Sequence, residues 1–309
     1  MIWITGNVEG KKYKEPFSKG ILSRSINVAD IGFERAYDIA SDIESDLIQN
    51  NVTEITSYDL VDVVLNHLKT VDSKIAKKYE NWRSLRKSDE PLIILNGGAS
   101  GVGTSSMAFE LANRLRLKNI IGTDMIREVM RKIISKELSP VVHKSSFDAY
   151  ESVRIPSIKI DPVIEGFINH VDVVNVGIEA IIERSVKEGI SIIIEGVHVV
   201  PGFIRKDLME NNNIIVFSLT VDDEESHRQR FYSRCRQPWV KRSLEKYMDN
   251  FDTIRKTQQF LVEQSKIHDA RIINNVDINE TVDVMISDIL EKFGGENNVE
   301  QESKGNNDN

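Results

Sequence analysis

One short stretch constrains this chain more than any other. Leu92-Ile-Ile-Leu-Asn96 is a strand-sized, largely apolar run. It leads into Gly97-Gly98-Ala99-Ser100-Gly101-Val102-Gly103-Thr104-Ser105-Ser106, and Met107, Leu111, Ala112 and Leu115 then recur at helical spacing. Four glycines within residues 97–103 let the backbone curl until its N–H groups converge, and the start of a helix adds a partial positive charge. That arrangement is suited to phosphate oxygens. Measured against G-x-x-x-x-G-K-[ST], residues 98–105 agree at Gly98, Gly103 and Ser105 and depart at Thr104, where a lysine would carry charge to the β- and γ-phosphates. Gly98, Ser100, Gly101, Val102, Gly103, Thr104 and Ser105 are the expected nucleotide-binding residues. Ser105 is also the expected hydroxyl ligand of Mg2+. A loop that binds nucleoside triphosphate without the lysine needs a cation from elsewhere in the chain.

The loop sits in a matching context. Apolar runs at Leu92–Leu95, Ile120–Ile121, Ile190–Ile194, Ile214–Leu219 and Ile272–Ile273 alternate with helical stretches. Continuous apolar runs suit strands covered on both faces, hence a parallel sheet between layers of helices. Residues 90–293 are therefore predicted to form an α/β doubly wound domain. Residues 1–89 follow another pattern: a hairpin of Ile2–Thr5 with Lys12–Glu15, then helices near 18–27, 29–50, 57–70 and 73–87. Thr56 or Ser57 is the expected N-cap of the third. The polar run from Arg86 to Pro91 reads as a linker. Residues 294–309, almost devoid of apolar side chains, read as a disordered tail.

Candidates for the missing charge lie in one segment. Arg228, Arg230, Arg234, Arg236, Lys241 and Arg242 fall within residues 228–242 with no acid among them. The segment suits a solvated basic helix face. It also suits an arginine-bearing lid over the phosphates, with Arg228, Arg230 and Arg234 as catalytic cations, because guanidinium forks match phosphate and stay charged. Gly122-Thr123-Asp124 ends the second strand of this domain, where ligands bind in open α/β sheets. Asp124 suits a helix N-cap, and equally a carboxylate that orients and deprotonates an acceptor hydroxyl. Arg127 and Arg131, four residues apart, would bind acceptor anions from one helix face. Glu195, at the end of the next strand, would hold a Mg2+-bound water or contact the acceptor. His143, Lys144 and Tyr150 lie where a segment could cover the acceptor, and His198 reads as a core residue before a ligand.

Composition narrows the partners. Lys plus Arg number 40 and Asp plus Glu 48, a net charge of −8. That balance argues against broad binding to nucleic acid or an anionic membrane. The single cysteine, Cys235, excludes an internal disulfide and a Cys-based zinc site. No apolar stretch approaches the ~20 residues of a membrane span, and the N-terminus lacks the features of a signal peptide. A cytoplasmic protein with a small-molecule partner is expected. Oligomeric state, including a homo-oligomer, stays open.

GGASGVGTSS, IIGTDMIREVMRKIISKEL, IIIEGVHVVPG and HRQRFYSRCRQ together resemble the archaeal 2-phosphoglycerate kinase family, over about residues 1–290. The threonine in place of the P-loop lysine belongs to that family's pattern. The resemblance implies a P-loop kinase fold and Mg2+-dependent transfer of phosphate from ATP to 2-phosphoglycerate. The product would be 2,3-bisphosphoglycerate, on the route to cyclic 2,3-diphosphoglycerate. The residues alone reach a P-loop kinase with a small anionic acceptor. A nucleotide-sensing regulator with a degenerate P-loop, or a kinase of another anionic metabolite, remains the alternative. Residues 1–89, with Lys14-Glu15-Pro16-Phe17-Ser18-Lys19-Gly20 ahead of the helices, resemble an ATP-cone, although the usual basic pair of its first hairpin is not evident.

Overall fold

A computed structural model describes residues 1–8, 10–29, 31–87, 90–236 and 243–304. Its contacts divide the chain into two units, Met1–Ser88 with Asp288–Asn309, and Asp89–Ser287. The sequence alone drew these divisions after residues 89 and 293.

The first unit opens with β1 (Trp3–Val8) and β2 (Lys11–Pro16), an antiparallel hairpin registered from Trp3 opposite Pro16 to Val8 opposite Lys11. Helices α1 (Lys19–Ile26) and α2 (Phe33–Gln49), strand β3 (Glu54–Thr56), and helices α3 (Ser57–Val71) and α4 (Ser73–Lys87) follow. Periodicity predicted one helix from 29. The chain instead makes a short 3-10 turn at Asn27–Ala29 and starts α2 at Phe33, because glycine at 32 is a poor helix former. Strand β3, parallel to β1, escaped prediction because three residues give no usable period. Thr56 is the N-cap of α3: its hydroxyl accepts from the Asp59 N–H at 3.1 Å and donates to the Asp59 carboxylate at 2.7 Å. The apolar stripes of the helices meet in a core that includes Ile26, Ile39, Ile43, Val64, Leu68 and Tyr79.

The second unit is built on five strands, β4 (Ile93–Gly98), β5 (Asn119–Gly122), β6 (Ile192–Gly196), β7 (Ile214–Thr220) and β8 (Arg271–Asn274). All pair in parallel, in the order β5-β6-β4-β7-β8. The helices between them are α5 (Thr104–Leu115), α6 (Thr123–Ile133), α7 (Pro162–Glu188), α8 (Lys206–Met209), α9 (Glu224–Cys235), α10 (Leu244–Asp249) and α11 (Phe251–Ile267). Every residue of β4 is buried, as its unbroken apolar run requires. Ile93 and Leu95 of β4 and Ile192 and Ile194 of β6 pack with Val174, Ile178 and Ile182 of α7. From β4 the chain passes to the far edge at β5, returns through β6 and crosses to β7 and β8. The connections therefore part beside β4, and the crevice at its carboxyl end is where such sheets take ligands. Helix α12 (Ile278–Lys304) runs through residues 294–304, which composition predicts to be disordered. The linker residues 88–89 and the final 305–309 lie outside the described residues. No helix among the described residues is long and apolar enough to cross a membrane.

Candidate functional site

A cavity of about 1040 Å3 opens at the carboxyl end of the five-stranded sheet. The glycine loop forms one wall. Gly101 (φ +89°) and Gly103 (φ +101°) occupy backbone regions that side chains rarely adopt, so the curl of the loop depends on glycine at both places. Behind the loop its carbonyls are held from outside. The His227 ring donates from Nε2 to the Ser100 carbonyl at 2.8 Å. Burial depresses the His227 pKa, which keeps the ring neutral with one N–H to give. Arg230 Nη1 (2.8 Å) and Asn275 Nδ2 (2.7 Å) both donate to the Val102 carbonyl. With its carbonyls turned outward and satisfied, the loop can point N–H groups into the cavity. Asn275 follows β8, and no feature of the sequence marked it or His227 as part of the site.

Removing the Asn275 amide should loosen the loop, and it also takes away the acceptor of the buried Thr281 hydroxyl at 3.2 Å. We expect Asn275→Ala to weaken ATP binding about tenfold, the scale of one lost hydrogen bond to the buried Val102 carbonyl, which keeps Arg230 as a donor. Calorimetric titration with ATP checks this; unchanged affinity would remove Asn275 from the loop's support.

Glu195 ends β6 and faces the loop. Its Oε2 accepts from the Thr104 hydroxyl at 2.7 Å, and its Oε1 accepts from the Ser105 hydroxyl at 2.9 Å. Burial pushes the Glu195 pKa up, and the two hydroxyl donors and Arg234 oppose that push. The residue that replaces the P-loop lysine thus spends its hydroxyl on the carboxylate opposite, and carries no charge to a phosphate. One hydroxyl, Ser105, and one carboxylate, Glu195, are hard oxygen donors on the cavity wall. They suit Mg2+, which takes few protein ligands and fills its shell with water and phosphate.

The three predicted lid arginines part company. Arg228 stacks its guanidinium 3.7 Å from the centroid of Phe251 and does not line the cavity. Arg230 lines the cavity, but its guanidinium is committed to the carbonyls of Val102, Asn275 and Val276. Arg234 lines the cavity and lies close enough to act on Glu195. Arg228 lies two residues before Arg230 and six before Arg234 along α9, so one helix cannot aim all three at one ligand. Lys241 and Arg242 lie outside the described residues.

The start of α6 contributes another part of the cavity lining. Asp124 and Arg127 line the cavity and approach each other at 3.7 Å. Arg127 Nη1 also donates to the Lys144 carbonyl at 3.0 Å. Arg131, predicted beside Arg127, instead pairs with Glu128 at 2.8 Å and does not line the cavity. The i, i+4 spacing shares a face, yet the cavity reaches only the first turns of α6. The segment expected to cover an acceptor reaches the cavity through Ser145, Ser146 and Phe147, and His143, Lys144 and Tyr150 do not line it. Lys246 of α10 reaches this segment, pairing with Asp148 at 2.6 Å.

Sequence comparison accords with this geometry. The chain is 51% identical over 304 residues to the 2-phosphoglycerate kinase of Methanothermobacter thermautotrophicus, covering 97% of this chain and 99% of that one. It is 44% identical to the same-named protein of Methanopyrus kandleri, over 93% of this chain and 87% of that one. The chain belongs to the 2-phosphoglycerate kinase family. Within this member of the 2-phosphoglycerate kinase family, residues 8–88 match the ATP cone domain. Solved structures with weaker likeness include a gluconokinase from Sinorhizobium meliloti 1021 (16% identity, 68% of this chain and 97% of that chain, TM-score 0.39). A shikimate kinase from Acinetobacter baumannii in complex with shikimate stands at 14%, 67%, 97% and 0.39 in the same terms. The fold rests on the strand order described above rather than on these.

Proposed function

We propose that the protein transfers the γ-phosphoryl group of ATP to the free hydroxyl of 2-phosphoglycerate, giving ADP and 2,3-bisphosphoglycerate. The observation that carries this reading is that one cavity gathers the glycine loop, Glu195, Arg234 and the Asp124–Arg127 pair. The loop N–H groups hold the triphosphate. Asp124 orients the acceptor hydroxyl and takes its proton as the new O–P bond forms and the β–γ bridge breaks. Arg127 and the serines at 145 and 146 bind the acceptor's anionic groups. Arg234, which lines the cavity and acts on Glu195, would supply the charge that Thr104 lacks, and charge stabilisation with positioning dominates this class of reaction. Ser105 and Glu195 would hold Mg2+, which would supply further charge neutralisation on the phosphates. Two serines, a lysine and an arginine suit a small acid that already carries a phosphate. The product fits a route to cyclic 2,3-diphosphoglycerate in an archaeal cytoplasm, with no part for nucleic acid or membrane. The ATP cone is read as a regulatory or dimerising unit.

The test is direct. Protein, Mg-ATP and 2-phosphoglycerate should yield ADP and bisphosphoglycerate in equal amounts. Tight ATP binding with no acceptor-dependent ADP would overturn the reading in favour of a nucleotide sensor, which the uncharged Thr104 would suit. ADP formed only with another phosphorylated acid would replace the acceptor alone.

A further inference from the structure

Arg255 of α11 has no part in the proposed chemistry and does not line the cavity, yet it reaches the back of the phosphate loop through one other side chain. Its guanidinium is fixed on the turn between β7 and α9. Nη1 donates to the Val221 carbonyl at 2.6 Å, Nη2 donates to the Asp222 carbonyl at 3.0 Å, and Nε lies 3.7 Å from the Glu224 carboxylate. Held there, Nη1 also lies 3.5 Å from Nδ1 of His227. The His227 ring is fully buried, stacked on Phe231 with ring centroids 5.4 Å apart and edge-on to Phe251 at 5.4 Å. The tip of the loop rests on this pair of rings: a Cβ at Gly101 would stand 2.5 Å from the Phe231 ring and 3.0 Å from His227 Nε2.

These surroundings leave the imidazole one useful form. Burial, and then the guanidinium groups of Arg255, Arg230 and Arg228, work against an imidazolium, so the ring is neutral and carries one N–H. Two tautomers are then open to it. With the proton on Nδ1, the Nε2 lone pair would face the lone pairs of the Ser100 carbonyl at 2.8 Å, and the Nδ1–H would face a group that can only donate. With the proton on Nε2, both contacts become hydrogen bonds. Which nitrogen of a histidine carries the proton is set by the bond that the other one makes. Here the other nitrogen is Nδ1 and its partner is Arg255.

We propose that Arg255 is a positioning residue for the phosphate loop, acting through His227: it donates to Nδ1, keeps the proton on Nε2 and so holds the Ser100 carbonyl at the back of the loop. This rests on the reading of that loop as the element that binds ATP. The chain of bonds runs from Arg255 Nη1–H to His227 Nδ1, and from His227 Nε2–H to the Ser100 oxygen. With the Ser100 and Val102 carbonyls both engaged, the loop's N–H groups are left for phosphate oxygens.

Arg255→Met keeps much of the length and removes every donor. It should raise the KM for ATP about tenfold, one hydrogen bond's worth, with the acceptor KM within about twofold of wild type. His227→Phe keeps the ring stack, removes the donor to Ser100 and should do the same. Because both act on one bond, the double variant should be no worse than His227→Phe alone. An Arg255 that only braced the turn between β7 and α9 would act in either background, and the two losses would multiply. His227→Gln, whose amide nitrogen can stand where Nε2 stood, should restore most of the loss. Nitrogen-15 spectra of wild-type protein should show His227 protonated at Nε2, with a bare Nδ1 that accepts a hydrogen bond. Should Arg255→Met fail to fold, those wild-type spectra still decide. Unchanged KM for ATP in Arg255→Met, multiplying losses in the double variant, or a ring protonated at Nδ1 would each overturn the proposal. Absence of turnover in the wild-type protein would instead refute the kinase reading, and the spectra would then test the His227 tautomer on their own.

Discussion

Arg234→Ala is expected to lower kcat about 10³-fold while leaving ATP affinity within a few-fold of wild type. A cation that stabilises charge on a transferring phosphoryl group is worth 10³ or more in rate, or about 4 kcal/mol of barrier. Arg234 is expected to be such a cation because of what its neighbours on α9 do. Arg228 lies over Phe251 and Arg230 holds the back of the loop. Arg234 lines the cavity and reaches the field of Glu195. Arg228→Ala should change kcat by less than about threefold and act mainly on stability, because an exposed or partly exposed cation–π contact is worth about 0.5–1 kcal/mol. Arg234→Lys should recover only part of the loss, since an ammonium lacks the fork that matches phosphate. The measurement is steady-state kinetics on the three variants. Equal, small losses at 228, 230 and 234 would place the compensating cation outside α9.

Glu195→Gln should lower kcat/KM about 10²-fold and weaken the dependence on Mg2+. The carboxylate accepts from Thr104 and Ser105 together, and an amide can accept on one side only. One of the two hydroxyls would then face an NH2 group and turn away. If Ser105 and Glu195 are the oxygen donors for the metal, the variant also loses the negative charge that draws Mg2+ in. Losses of 10–100-fold are typical where groups that orient metal ligands are changed. Titrating activity against free Mg2+ separates the effects: a rightward shift of the curve reports the metal, and a lower plateau reports the loop. Activity that saturates at wild-type Mg2+ and reaches the wild-type plateau would remove Glu195 from both roles. Ser105→Ala should move the same curve in the same direction by a smaller amount.

How far the site could be read in advance differs residue by residue. The glycine loop is local: its strand, its glycines and its helix lie within residues 92–115, and short-range rules suffice. Glu195 and Asp124 were legible because a carboxylate at the end of a buried strand has few places to point except the crevice. The arginines were not. A run of charge gives composition but no direction, and α9 turns by about 100° per residue, so Arg228, Arg230 and Arg234 face different neighbours. Arg131 was misplaced for a related reason: spacing names the face of α6 but not where the cavity ends along it. His227 and Asn275 left no signal, because their partners lie 127 and 173 positions away in sequence.

The sequence by itself determined that a phosphate-binding loop opens an α/β unit, that its lysine is absent, and that a small helical unit precedes it. Those properties follow from local periodicity and from backbone freedom at particular glycines. Only the tertiary structure decided which arginines meet the cavity and what holds the loop's carbonyls. Each of those is a contact between segments far apart in the chain, set when the parallel strands bring their carboxyl ends together.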